Sequence, residues 1–104
     1  MKLLAKSLLV MASTLAASSA FALDGQALAN SKACLACHNV DQKLIGPAFK
    51  DVAAKYGNSE QGIASIMASI KGGSQGKWGP VPMPANPVND EEAKALATWI
   101  ASLK

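Results

Sequence analysis

The sequence predicts an all-α domain of about four helices with no substantial sheet, and three observations carry that expectation. Apolar residues recur at helical spacing in the second half of the chain. The alternation of β-branched residues that marks strands is missing, and the stretches between periodic segments are rich in Gly and Pro.

The first helix is short, residues 26–33, with Asp24 as its cap. A second spans residues 48–56 and starts just after Pro47, a residue suited to a helix start. Residues 59–71 form the third, with Ile63, Ile66, Met67 and Ile70 along one stripe, and Gly72-Gly73 ends it. The last has the clearest start signal. Asn89 stands three residues before Glu92, the capping-box spacing, and Asp90, Glu91 and Glu92 suit the positive end of a helix dipole. Its buried face is Ala93, Leu96, Ala97, Ile100 and Leu103. Residues 72–88 hold four of the five prolines. So long a loop in so small a domain points to function, and its prolines favour a stiff, extended path.

The start of the chain is expected to be removed. Lys2 and Lys6 precede a short apolar run, and Ala20-Phe21-Ala22 closes it with small residues at the first and third places, the pattern of a secretory signal peptide over residues 1–22. The run is shorter than the ~20 residues a membrane-spanning helix needs, so no stable membrane insertion is expected. Cleavage leaves 82 of the 104 residues, positions 23–104, as one domain exported to the periplasm and expected as a monomer. Losing two lysines leaves eight against seven acids, a formal charge of +1 with no arginine anywhere. That balance makes no case for nucleic acid. Eighty-two residues bury little surface, a size at which a cofactor or crosslink commonly supplements the core.

Chemistry concentrates in one histidine, two cysteines and a methionine. Cys34-Leu35-Ala36-Cys37-His38 is the attachment motif of c-type haem. Two thiols three positions apart can add to the two haem vinyl groups, and the next side chain then points at the iron. The haem-free alternatives are a thioredoxin-type dithiol, which wants a strand and sheet around the motif, a zinc site, which wants four ligands, and a plain disulfide. His38 is the only histidine, so a second axial ligand has to come from elsewhere. Methionine offers a soft thioether, and His/Met ligation raises the reduction potential. Met1 and Met11 leave with the signal, and Met67 lies on the apolar stripe of the third helix. Met83, between Pro82 and Pro84 and 45 residues beyond His38, remains as the ligand. A five-coordinate haem enzyme or gas sensor would lack such a methionine. Lys32, Lys43 and Lys77 lie close in sequence to these residues and are candidates to ring a docking patch around Leu35-Ala36.

The mature chain resembles the short class I cytochromes c of bacterial denitrifiers, the electron donors to haem-cd nitrite reductase. The likeness runs through the haem motif, Ile45-Gly46-Pro47-Ala48, Asp51-Val52-Ala53-Ala54-Lys55, Gly73-Ser74-Gln75-Gly76 and Trp78-Gly79-Pro80-Val81-Pro82-Met83-Pro84. It implies a cytochrome c fold wrapped around one covalently attached haem c. It implies further that the Pro47 carbonyl accepts the proton on the far nitrogen of His38, and that Trp78 donates its indole N–H to a haem propionate. Asn86 would hydrogen-bond near the Met83 sulfur, and Trp99 would fill a core position where the last helix crosses the first. One departure stands out: a basic side chain that relatives often place near the propionates is matched here by Ser69. The resulting expectation is an electron carrier, not an enzyme, that moves one electron at a time through a six-coordinate haem. Its implied partners are a terminal reductase such as haem-cd nitrite reductase and a membrane-bound cytochrome donor.

Overall fold

Helix α1, Gly25–Ser31, begins where expected because the Asp24 carboxylate accepts from the Gln26 and Ala27 main-chain N–H groups. The coordinates are a computed structural model that describes residues 23–104; the expected leader, residues 1–22, lies outside the described residues. After α1 the chain passes through Ala33, whose φ of 61° is left-handed, and enters a single 3-10 turn, Cys34–Ala36.

Helix α2, Phe49–Tyr56, has Ala48 at its cap position and therefore no capping side chain. Its first N–H groups are satisfied by main chain instead. Phe49 N donates to the Asn39 carbonyl at 2.9 Å and Lys50 N to that of Val40 at 3.1 Å. These bonds lash the segment that follows His38 onto the start of α2.

Helix α3, Glu60–Gly72, is capped by Ser59, whose hydroxyl accepts from Gly62 N at 3.0 Å. A Cβ at Gly62 would stand 2.2 Å from the Tyr56 carbonyl oxygen, so only glycine lets α3 start this close to the end of α2. Ile66 and Ile70 are buried, with Ile63 and Met67 packed at the edge of the core. Helix α4, Asp90–Ala101, carries the full capping box: Asn89 Oδ1 accepts from Glu92 N at 2.8 Å, and Glu92 Oε1 accepts from Asn89 N at 3.1 Å.

Helix α4 is the hub, packing on α1, α2 and α3, while α3 also packs on α2. Ala93, Leu96, Ala97 and Ile100 face the core against Ala29, Phe49, Val52, Ile66 and Ile70. At the crossing of α1 and α4 a Cβ on Gly25 would lie 2.4 Å from Trp99 Cβ, so the two helices touch through that glycine. The Trp99 ring meets Phe49 edge-on, with centroids 5.5 Å apart. Among the described residues there is no β-strand, and the expected all-α, four-helix architecture is observed. The proline-rich loop is less free than its composition suggests. Ser74 and Met83 form an isolated antiparallel bridge, exchanging main-chain hydrogen bonds of 3.0 and 2.8 Å.

Candidate haem-binding site

The helices leave a cavity of about 600 Å³, walled by the cysteine turn, residues 43–47, the inner faces of α2, α3 and α4, and the loop from Ser74 to Asn86. His38, Cys34, Cys37 and Met83 all line it, whereas Met67 does not.

His38 is held from three sides. Its Nδ1 lies 2.8 Å from the Pro47 carbonyl oxygen. A carbonyl only accepts, so Nδ1 carries the proton and Nε2 presents its lone pair. Phe49 stacks on the imidazole, with centroids 4.8 Å apart and planes 20° apart. Gly46 covers a further side so closely that an added Cβ would stand 2.6 Å from His38 Cε1 and 2.9 Å from Nδ1. Gly46 N in turn donates to the Cys37 carbonyl at 2.7 Å, tying the 44–47 segment to the cysteine turn. Neither Gly46 nor Phe49 was singled out from sequence. Gly46 sits in the Ile45–Ala48 string without an evident role, and Phe49 reads as an ordinary helix residue.

Cys34 and Cys37 stand half-buried on the same wall. Burial pushes the Cys34 thiol above its ordinary range; its own main-chain N–H works against this, and the neighbouring Cys37 adds to it.

The opposite wall belongs to the loop. Besides its bridge to Met83, it is pinned to α3 by Asn86, whose main-chain N donates to the Ile70 carbonyl at 2.9 Å. The Asn86 side-chain amide donates to the carbonyls of Ile70, at 3.2 Å, and Pro84, at 3.3 Å, rather than to the Met83 sulfur. Trp78 lines the cavity at its rim, and the Lys55 ammonium sits 4.6 Å from its ring centroid and 3.3 Å from the Lys77 carbonyl oxygen. Lys55 carries no local sequence signal either, because its partner on the loop is distant in sequence.

The three lysines expected to ring Leu35-Ala36 differ in their partners. All line the cavity, but Lys32 pairs with Glu92 at 3.4 Å, and Lys77 reaches across to the Ser69 hydroxyl on α3, at 3.4 Å. No aspartate or glutamate lines the cavity. An apolar chamber rimmed only by cations suits a flat apolar ligand that carries carboxylates, and the chamber presents two thiols and an imidazole nitrogen on one wall and a thioether on another. That chemistry fits haem.

A four-helix domain with Cys-x-x-Cys-His on the wall of such a chamber defines a small c-type haem protein. The family model for cytochrome c matches residues 22–104, and the chain belongs to that family. It is 62% identical over 80 residues to a cytochrome c-551 of Pseudomonas denitrificans, covering 77% of this chain and 98% of that protein. A cytochrome c-551 of Stutzerimonas stutzeri is 54% identical over 97 residues, 93% of each chain. Among solved structures, wild-type cytochrome c552 of Nitrosomonas europaea superposes with a TM-score of 0.72 at 50% identity, covering 76% of this chain and 99% of that one. The protein is an electron carrier of the cytochrome c-551 type rather than an enzyme, with one haem c bound covalently through Cys34 and Cys37.

Proposed function

We propose that this protein carries single electrons in the periplasm through a haem whose axial ligands are His38 and Met83. The observation that supports the reading is the placement of His38, its Nδ1 committed to the Pro47 carbonyl, on the same cavity as Met83. When bound, the haem would supply a one-electron couple between ferrous and ferric iron.

The chain's own residues do the rest. The Pro47 carbonyl fixes the imidazole tautomer and its orientation and increases its basicity. The apolar walls keep water from the chamber, which favours the less charged ferrous state. Trp78, its ring steadied by Lys55, would donate its indole N–H to a propionate. Asn86 holds the Met83 loop against α3 through the Ile70 carbonyl.

Residues 1–22 act as a cleaved export leader, and the mature protein works as a monomer. By its likeness to the donors of denitrifiers, it takes electrons from a membrane-bound cytochrome and passes them to haem-cd nitrite reductase. Reoxidation of the reduced protein by that reductase with nitrite tests the partner.

The ligand set is tested in holoprotein by Met83→Ala. The ferrous wild type should be insensitive to carbon monoxide, while the variant binds it readily and its reduction potential falls. Met67→Ala should lose about 2–5 kcal/mol of stability at most, as a core truncation does, and keep the iron closed. If Met67→Ala opens the iron and Met83→Ala does not, the assignment is wrong.

A further inference from the structure

The charges on the cavity wall are three lysines, and they do not share one side. Lys32 caps the end of α1, two residues before Cys34, and is paired with Glu92. Lys43 adjoins the 44–47 segment, which is bonded to the Cys37 carbonyl through Gly46. Both therefore stand on the cysteine wall. Lys77 stands elsewhere. Its ammonium rests 3.4 Å from Ser69 Oγ on α3, a helix that packs on α2 and α4, whereas the cysteine turn packs on α1 alone. Among the described residues no carboxylate pairs with Lys77.

Haem chemistry gives this asymmetry a meaning. Both vinyl groups lie on one half of the macrocycle and both propionates on the other. Thioethers at Cys34 and Cys37 would hold the vinyl half, so the propionates would point away from the cysteine wall. We propose that Lys77, propped by the Ser69 hydroxyl, is the cation that pairs with a haem propionate in this protein. The proposal rests on the haem reading above and assigns a carboxylate subsite within it.

The surroundings favour an anion there. From α2 come Lys55, whose ammonium lies 3.3 Å from the Lys77 carbonyl, and Tyr56 on the cavity wall. From α3 comes Ser69; Lys71 on the same helix is already paired with Asp90. From the loop itself comes Trp78. Among the described residues these two ammonium groups thus pair with no acid. An ammonium within a few ångströms keeps a carboxylate ionised and lowers its pKa by roughly 1–3 units, with the low end fitting so exposed a lysine. The propionate then stays charged through the mildly acidic range, and the reduction potential is flat there.

The test compares holoprotein with Lys77→Gln, Lys77→Arg, Ser69→Ala and Lys32→Gln. Voltammetry is run from mildly acidic to neutral pH, alongside NMR of the propionate methylene groups. In Lys77→Gln the propionate titration should move up by about one pH unit. Its potential should then rise on acidification where the wild type stays flat, and lie below the wild type at neutral pH because a nearby cation has been lost. Arginine at 77 should restore the wild-type curve, and Ser69→Ala should shift it the same way as Lys77→Gln but by less. Lys32→Gln should leave it unmoved. An unmoved titration in Lys77→Gln, or one that moves in Lys32→Gln instead, overturns the proposal. Failure of the haem reading would show separately, as wild-type protein whose colour is lost on acid–acetone extraction.

Discussion

The wall that carries His38 and the loop that carries Met83 face the same cavity but are held by different means. On the histidine wall the constraint is packing: a buried ring clamped between the Phe49 face, the Gly46 backbone and the Pro47 carbonyl. On the methionine loop it is main chain. Two bridge hydrogen bonds join Met83 to Ser74, Asn86 hangs on the Ile70 carbonyl, and prolines stiffen the stretch between, while Val81 is 59% exposed. A packed clamp resists by having no room. A tethered loop resists only as long as its backbone keeps one conformation. The methionine side should therefore be broken by backbone changes and the histidine side by volume changes.

The largest effect is expected at Gly73, the hinge of the tethered loop. Its φ of 76° with ψ of 176° belongs to a region populated essentially by glycine, and a Cβ there would stand 2.6 Å from the Met83 carbonyl oxygen. Gly73→Ala should cost about 1–3 kcal/mol in backbone strain, with a similar amount from the clash with main chain that cannot turn aside. Denaturant unfolding measures the loss. Carbon monoxide binding to the ferrous holoprotein should show the sixth position partly opened with the His38 side intact. A variant that loses stability but keeps the iron closed would mean the loop is held by something other than its main chain.

Gly46→Ala probes the other side by volume. Here no left-handed backbone is involved, and the cost comes from pressing a methyl group onto an imidazole that Phe49 already blocks. A loss of about 1–3 kcal/mol is expected. Its signature should be a displaced His38 ring, read from the imidazole NMR signals, with the iron still closed to carbon monoxide. Opening of the sixth position in this variant would erase the distinction between the two walls.

The helices were legible in sequence because their signals are local. Asp24, Ser59 and Asn89 each cap within three residues, and the apolar stripes of α3 and α4 follow a fixed period. Helix α2 shows where local reading stops. Pro47 points to a start at Ala48, but the bonds that begin the helix at Phe49 come from the carbonyls of Asn39 and Val40, which no nearby side chain announces. The site divides the same way. Cys34, Cys37 and His38 form a contiguous motif, and Met83 followed by elimination. Gly46, Phe49 and Lys55 matter only through partners that the fold brings to them, and the pairing of Lys77 with Ser69 spans eight residues and two elements. Asn86, expected near the Met83 sulfur, lines the cavity with its amide on carbonyls because two lie within reach.

The smallest effect is expected furthest from either wall, at the start of α4, and it sharpens the comparison by leaving His38 and Met83 alone. Asn89→Ala removes the acceptor for Glu92 N and should cost about 1 kcal/mol, the usual loss at such a cap. The reciprocal bond behaves differently because it involves a titrating group. The Asn89 main-chain N–H holds the Glu92 carboxyl below its ordinary range; partial burial opposes this, and Lys32 assists. A carboxyl with a lowered folded-state pKa stabilises the fold fully above its unfolded value, and that contribution disappears as pH falls through the folded value. Glu92→Gln should thus be less stable than wild type at neutral pH and converge on it below the ordinary carboxylate range, whereas the deficit of Asn89→Ala should persist on acidification. Thermal unfolding of both holoproteins across that range measures the two curves. Since α4 packs against α1, α2 and α3, either variant should lower the melting temperature while carbon monoxide binding and the reduction potential stay at wild-type values. A change in either at this distance would mean that the core couples the helix start to the methionine loop, and that the two walls are not held independently.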